Sequence, residues 1–200
     1  HVMTDSPAGQ YQPGQETVAR LTADIDLSYI DSPIIQYKAK WDIEEGWDFV
    51  RFQTLIQDVG WVTAAGICTE SGSGQPAQVF GEQGYDGIQS SWVTETIDLG
   101  QFDLDLIAGF RFIQTSDDYE EGDGFMFDDF SILGFPSGIV GDYNTDSFVD
   151  IIDILGIVDL FIFDSEPSQR QLFFCDLDRN GSINIMDLMA LVDMVVGILD

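Results

Sequence analysis

Apolar and polar residues alternate along the first two thirds of the chain and then switch to helical spacing. Residues 34–41, 48–55, 92–97 and 106–113 each carry apolar side chains at every second position, as a strand does when one face is buried. Weaker runs at 16–27, 61–64 and 124–133 predict further strands, and Gly, Asp and Ser clusters at 71–75 and 116–123 separate them. Seven or so strands with long polar connections predict a mainly β fold, an antiparallel sandwich, over residues 1–135. Pro136-Ser137-Gly138 interrupts the pattern and marks a linker at 136–140. Beyond it, in residues 141–200, Ile151, Ile152, Ile154 and Leu155 are answered by Ile185, Met186, Leu188 and Met189, which predicts a small all-α domain built from a duplicated unit.

In front of each apolar helical run stands the same set of oxygen-bearing residues. Asp142, Asn144, Asp146, Asp150 and Asp153 occupy loop positions 1, 3, 5, 9 and 12, and Asp176, Asp178, Asn180, Asn184 and Asp187 repeat them thirty-four residues later. Such spacing wraps a short loop around one Ca²⁺, because odd positions point inward, position 7 offers a backbone carbonyl, and position 12 closes the shell from the first helical turn. Phe148 and Ser182 hold position 7, so each loop has a complete candidate donor set for one ion. Position 8 is apolar in both copies, Val149 and Ile183, which separates the repeat from a mere scatter of acids. Gly181 provides the sharp turn at position 6 of the second loop, whereas the first has Ser147 there and departs from the pattern.

These residues resemble the dockerin family, tandem loop-plus-helix units without the entering helix of an EF-hand, over about 141–199. The resemblance implies a module that folds around two Ca²⁺ and plugs into a receptor domain called cohesin. A module this short needs such staples in any case. Its receptor-facing surface is expected at the helix starts, where Ile151, Ile152, Ile185 and Met186 form a near-twofold apolar set. Dockerins that bind cellulosomal scaffolds commonly have polar residues there, so a cohesin-like domain and another copy of this same chain are both candidate partners.

Several stretches of the first domain carry a second resemblance: Asp5-Ser6-Pro7, Gly46-Trp47-Asp48, Tyr85-Asp86-Gly87, Ile97-Asp98-Leu99 and Gly124-Phe125-Met126-Phe127-Asp128-Asp129-Phe130. They look like the jelly-roll module that follows the catalytic domain of secreted metallopeptidases of the immune inhibitor A type, and are similar to MAM-like adhesion domains. Such modules usually begin with a strand before the Asp-Ser-Pro stretch. Three residues more than His1 precede it here, so the chain is expected to derive from a longer parent. Related sandwiches also imply one further Ca²⁺, for which Asp128, Asp5 and Asp48 are candidate ligands; the alternative for Asp128 is an exposed acidic edge that discourages strand pairing.

Charge narrows the partners. Thirty-six acidic residues against seven basic ones give −29, shared as −19 over residues 1–140 and −10 over 141–200, which disfavours nucleic acid and anionic membranes. With 44% apolar residues and fifteen Phe the chain has enough to bury, and Ca²⁺ loops on so acidic a protein suggest an extracellular or cell-surface setting. Cys68 and Cys175 fall one in each domain, as two free thiols or as one bridge. No catalytic set can be assembled: His1 is the sole histidine, and Gly-rich 71–74 lacks the Lys and strand-to-helix context of a phosphate loop. The expectation is a non-catalytic, calcium-dependent docking protein. A self-assembling filament subunit is the structural rival, and a carbohydrate-binding module, with Trp47 and Trp61 as the stacking platform and Trp41 and Trp92 in the core, is the third reading.

Overall fold

The structure is a computed structural model that describes residues 2–22 and 25–197. His1 lies outside the described residues. Two compact units are present, His1–Phe135 and Pro136–Asp200.

The first unit is built from strands β1 Met3–Thr4, β2 Glu16–Arg20, β3 Ile30–Asp42, β4 Phe49–Ile56, β5 Gly60–Thr63, β6 Glu70–Ser71, β7 Gln83–Gly84, β8 Ile88–Asp98, β9 Ile107–Thr115 and β10 Gly124–Pro136. One sheet runs β1-β10-β3-β8 and the other β2-β9-β4-β5, while β6 and β7 form a separate hairpin. Without that hairpin, strands neighbouring in sequence alternate between the sheets in the order of a jelly roll. The registered pairs between strands are antiparallel.

Alternation explains which side of each strand faces inward. Ile35, Tyr37 and Ala39 of β3 are buried opposite Ile97, Glu95 and Val93 of β8, and they meet Val50, Phe52, Phe110 and Phe112 from the other sheet. Aromatic rings fill the space: Phe112 stacks on Phe127 with centroids 4.3 Å apart and meets Tyr37 edge-on at 5.2 Å. β4 is buried on both faces because residues 78–85 return over its outer side. There Arg51 pairs with Glu82 at 2.9 Å, and Thr63 donates to the same carboxylate at 2.7 Å.

Three expectations are corrected. Trp92 was assigned to the core, yet it is 43% exposed with the Lys40 ammonium 5.4 Å from its ring centroid. Parity is the reason: in β8 the odd positions face inward, which puts Glu95 inside and Trp92 out. β2 stops at Arg20, so the strand expected over 16–27 covers only its first part; Ala23 and Asp24 lie outside the described residues, and Leu27 reaches the core from irregular backbone. β10 continues to Pro136, into the stretch expected to be linker.

Glu95 is fully buried, and its two oxygens accept hydrogen bonds from the backbone N–H groups of Ile67 (2.8 Å), Cys68 (3.2 Å) and Thr96 (2.6 Å) and from the Tyr85 hydroxyl (2.7 Å). Tyr85 in turn meets the Tyr37 hydroxyl at 2.5 Å. A buried carboxylate survives without a cation only when its lone pairs are met in this way, and here it ties the 66–69 turn to the sheet.

The second unit holds α1 Ile151–Phe163, α2 Gln169–Cys175 and α3 Ile185–Val196, and α1 packs on α3. Ile154, Ile157, Leu160, Phe174 and Leu191 are buried. Gly156 sits mid-helix, where glycine costs about 1 kcal/mol. A Cβ there would come within 2.2 Å of the Tyr143 ring, so the glycine is the seat for that ring.

Glu95→Ala should strand several buried donors at once and lower unfolding free energy by about 3 kcal/mol or more. Tyr85→Phe, which removes one bond, should cost about 1 kcal/mol, and urea denaturation of the first unit would measure both.

Candidate metal centre

Both loops fold on one hydrogen-bond template. The carboxylate at position 12 accepts from the N–H groups of positions 2, 3 and 9: Asp153 from Tyr143 (2.8 Å), Asn144 (3.1 Å) and Asp150 (2.8 Å), and Asp187 from Leu177 (2.7 Å), Asp178 (3.2 Å) and Asn184 (2.8 Å). The position 1 carboxylate accepts from positions 5 and 6: Asp142 from Asp146 (3.2 Å) and Ser147 (3.0 Å), and Asp176 from Asn180 (3.1 Å) and Gly181 (2.7 Å). Asp150 and Asn184 are N-caps and complete capping boxes with Asp153 and Asp187, so the residue that closes the loop also starts the helix.

These bonds turn the donor atoms inward. Carboxylate oxygens of Asp176, Asp178 and Asp187 all lie within 4.8 Å of one another. Asp153 and Asp187 are fully buried and Asp142 nearly so, and among the described residues none of them has a basic partner. A set made only of carboxylate, amide and carbonyl oxygens on a short loop fits a hard divalent cation of the Ca²⁺ type. The donors brought together are Asp142, Asn144, Asp146, Asp150, Asp153 and the Phe148 carbonyl in the first loop. In the second they are Asp176, Asp178, Asn180, Asn184, Asp187 and the Ser182 carbonyl. A bound cation would supply the positive charge these carboxylates lack.

Positions 4 and 6 are left-handed in both loops: Thr145 and Arg179 at φ 66° and 57°, Ser147 and Gly181 at 72° and 91°. Ser147 thus adopts the conformation that glycine adopts freely, at a cost of about 1 kcal/mol. Nearby, Cys175 is a fully buried free thiol; burial first, and then the charges of Asp153, Asp142 and Asp187, push its pKa up to about 12. Cys68 is also free and half-buried.

Ile151, Ile152, Ile185 and Met186 are each at least half exposed. One turn further, Leu155 (52%) and Met189 (57%) extend the same face, two positions the sequence reading left out although their i+4 spacing gave them away. α2 was also missed; its signal is the capping box of Ser168 and Gln171.

The acids proposed for the sandwich separate. Asp5 accepts from Phe125 N–H at 3.1 Å and seals the start of β10, and Asp128 accepts from Asp129 N–H at 2.8 Å. Asp48 is gathered instead with Glu44 and Asp117, their oxygens within 4.8 Å. It is fully buried, accepting from Tyr11 (2.6 Å) and Asp117 N–H (2.7 Å), and burial chiefly, with the charges of Asp117 and Glu121, holds its carboxyl above the usual range. Trp47 is 42% exposed in the turn before β4. The Trp61 ring has the Arg111 guanidinium 4.3 Å and that of Arg20 5.3 Å from its centroid, and Trp41 packs on Tyr85 and Phe125.

Ser147→Gly should relieve the strain of the first loop and tighten its Ca²⁺ binding up to about fivefold, the counterpart of about 1 kcal/mol, in a calorimetric titration. Asp153→Asn should weaken that loop and slow α1 formation while leaving binding at the second loop in place.

No curated protein matches the chain. Residues 140–195 match the dockerin type I domain family. The second unit therefore carries a module of a type that binds Ca²⁺ and docks non-catalytically onto cohesin domains.

Proposed function

We propose that the chain is an extracellular, non-catalytic docking protein in which two Ca²⁺ ions fix the starts of α1 and α3 and thereby build an apolar binding face. The observation that carries this reading is the repetition of one hydrogen-bond template in both loops, each leading into a helix whose first exposed residues are apolar. Ile151, Ile152 and Leu155 correspond position by position to Ile185, Met186 and Met189, so the face has twofold character in sequence and in exposure. Exposed apolar area of this kind is retained where a partner covers it.

The partner is a cohesin-like domain or another copy of this chain. The second copy is favoured by composition: six large apolar side chains predict a dry interface of the sort that closes homotypic contacts. Glycan binding has less support, because the faces of Trp61 are taken up by arginines and Trp47 alone makes no platform.

Sedimentation of the chain alone and calorimetry against a type I cohesin, each in Ca²⁺ and in EDTA, test the reading. A Ca²⁺-dependent complex is expected in at least one experiment, weakened about a hundredfold or more by Ile151→Lys with Ile185→Lys. A chain that stays monomeric and ignores cohesin in Ca²⁺ would contradict it.

A further inference from the structure

The jelly roll is open at one edge. β1 is two residues long and pairs Met3 with Phe127 and Thr4 with Met126, while β10 runs thirteen residues from Gly124 to Pro136. β10 has only β1 and β3 as neighbours among the described residues, so the backbone beyond Asp128 has no strand along its β1 side. In the facing sheet the matching edge strand, β2, is five residues long.

Between these short edge strands lies a cleft of about 520 Å³, lined by Met3, Ala19, Phe52, Phe112, Phe127 and Phe130 among others. Gln114 lines it too. Its side chain is 5% exposed, and neither its Oε1 nor its Nε2 has a hydrogen-bond partner. Parity puts Gln114 on the inner face, opposite Val50 on one side and Thr17 on the other, so its amide is an unmet donor and acceptor in an aromatic cleft. Leaving such a group unpaired costs about 1–3 kcal/mol, which an occupant with a polar group among apolar ones would remove.

We infer that this edge takes up an extended segment of another polypeptide as an added strand of the β1-β10-β3-β8 sheet, antiparallel to β10 and continuous with the pairing that Met3 and Thr4 begin. Backbone bonds to β10 provide the affinity, and alternate apolar side chains, with one polar group for Gln114, fill the cleft. An open strand edge calls for a strand, since a small apolar molecule would fill the cleft and leave the N–H and C=O groups of β10 uncovered. The site lies wholly in the first unit and is independent of the docking reading.

A short fluorescein-labelled peptide alternating valine with threonine is the probe, followed by anisotropy with the full chain. Saturable binding is expected, lowered about tenfold or more when alternate peptide amides are N-methylated on the pairing edge. Gln114→Leu should raise the melting temperature of the unliganded chain by a few degrees and weaken the peptide complex. Absence of peptide binding would overturn the inference, as would equal binding of the methylated peptide or displacement by palmitate with the edge still open to exchange. A lower melting temperature for a folded Gln114→Leu chain would show that the amide is already satisfied and would also count against it.

Discussion

Buried negative charge without positive charge beside it is the constraint on which the second unit turns. Asp153 and Asp187 have no exposed surface, Asp142 has almost none, and residues 141–200 contain two arginines and no lysine. Backbone N–H groups satisfy the hydrogen-bonding capacity of these carboxylates, but N–H dipoles leave the net charge in place. Two loops that each gather three or four carboxylates around one point are stable only if a cation joins them, and this couples folding of the helices to the ion. The same aspartates cap α1 and α3, so loop closure, helix initiation and presentation of the apolar face form one event.

The sandwich handles buried charge differently. Glu95 is enclosed by backbone donors and a tyrosine pair, an arrangement that needs no ion and fixes a turn. Glu44, Asp48 and Asp117 lie between these extremes, with Asp48 hydrogen-bonded yet close to other acids and its proton affinity raised. The first unit thus rests mainly on its aromatic core and its strand ladders, and its open edge beside β10 is the place where that construction is incomplete.

How much of this was legible follows from how local each signal is. The Ca²⁺ loops were readable because all their donors lie within twelve residues, and Asp150 and Asn184 announce the helices that follow. β3, β4, β8 and β9 were readable from alternation. Alternation misled at Trp92, because Glu95 takes an inward position that an apolar residue would normally hold and so reverses the apparent faces. β1 is too short to show a period, α2 shows only its capping box, and β10 extends through a proline that looked like a linker. The grouping of Asp48 with Glu44 and Asp117, in place of Asp5 and Asp128, depends on segments seventy residues apart meeting in space, which spacing along the chain cannot express.

Calcium titration of the EDTA-treated chain, followed in parallel by calorimetry and far-ultraviolet circular dichroism, tests the central claim most directly. The account predicts two Ca²⁺ ions bound per chain, with helical signal rising in step with occupancy and falling again on chelation. Full helical signal in EDTA, unchanged when Ca²⁺ is added, would contradict it.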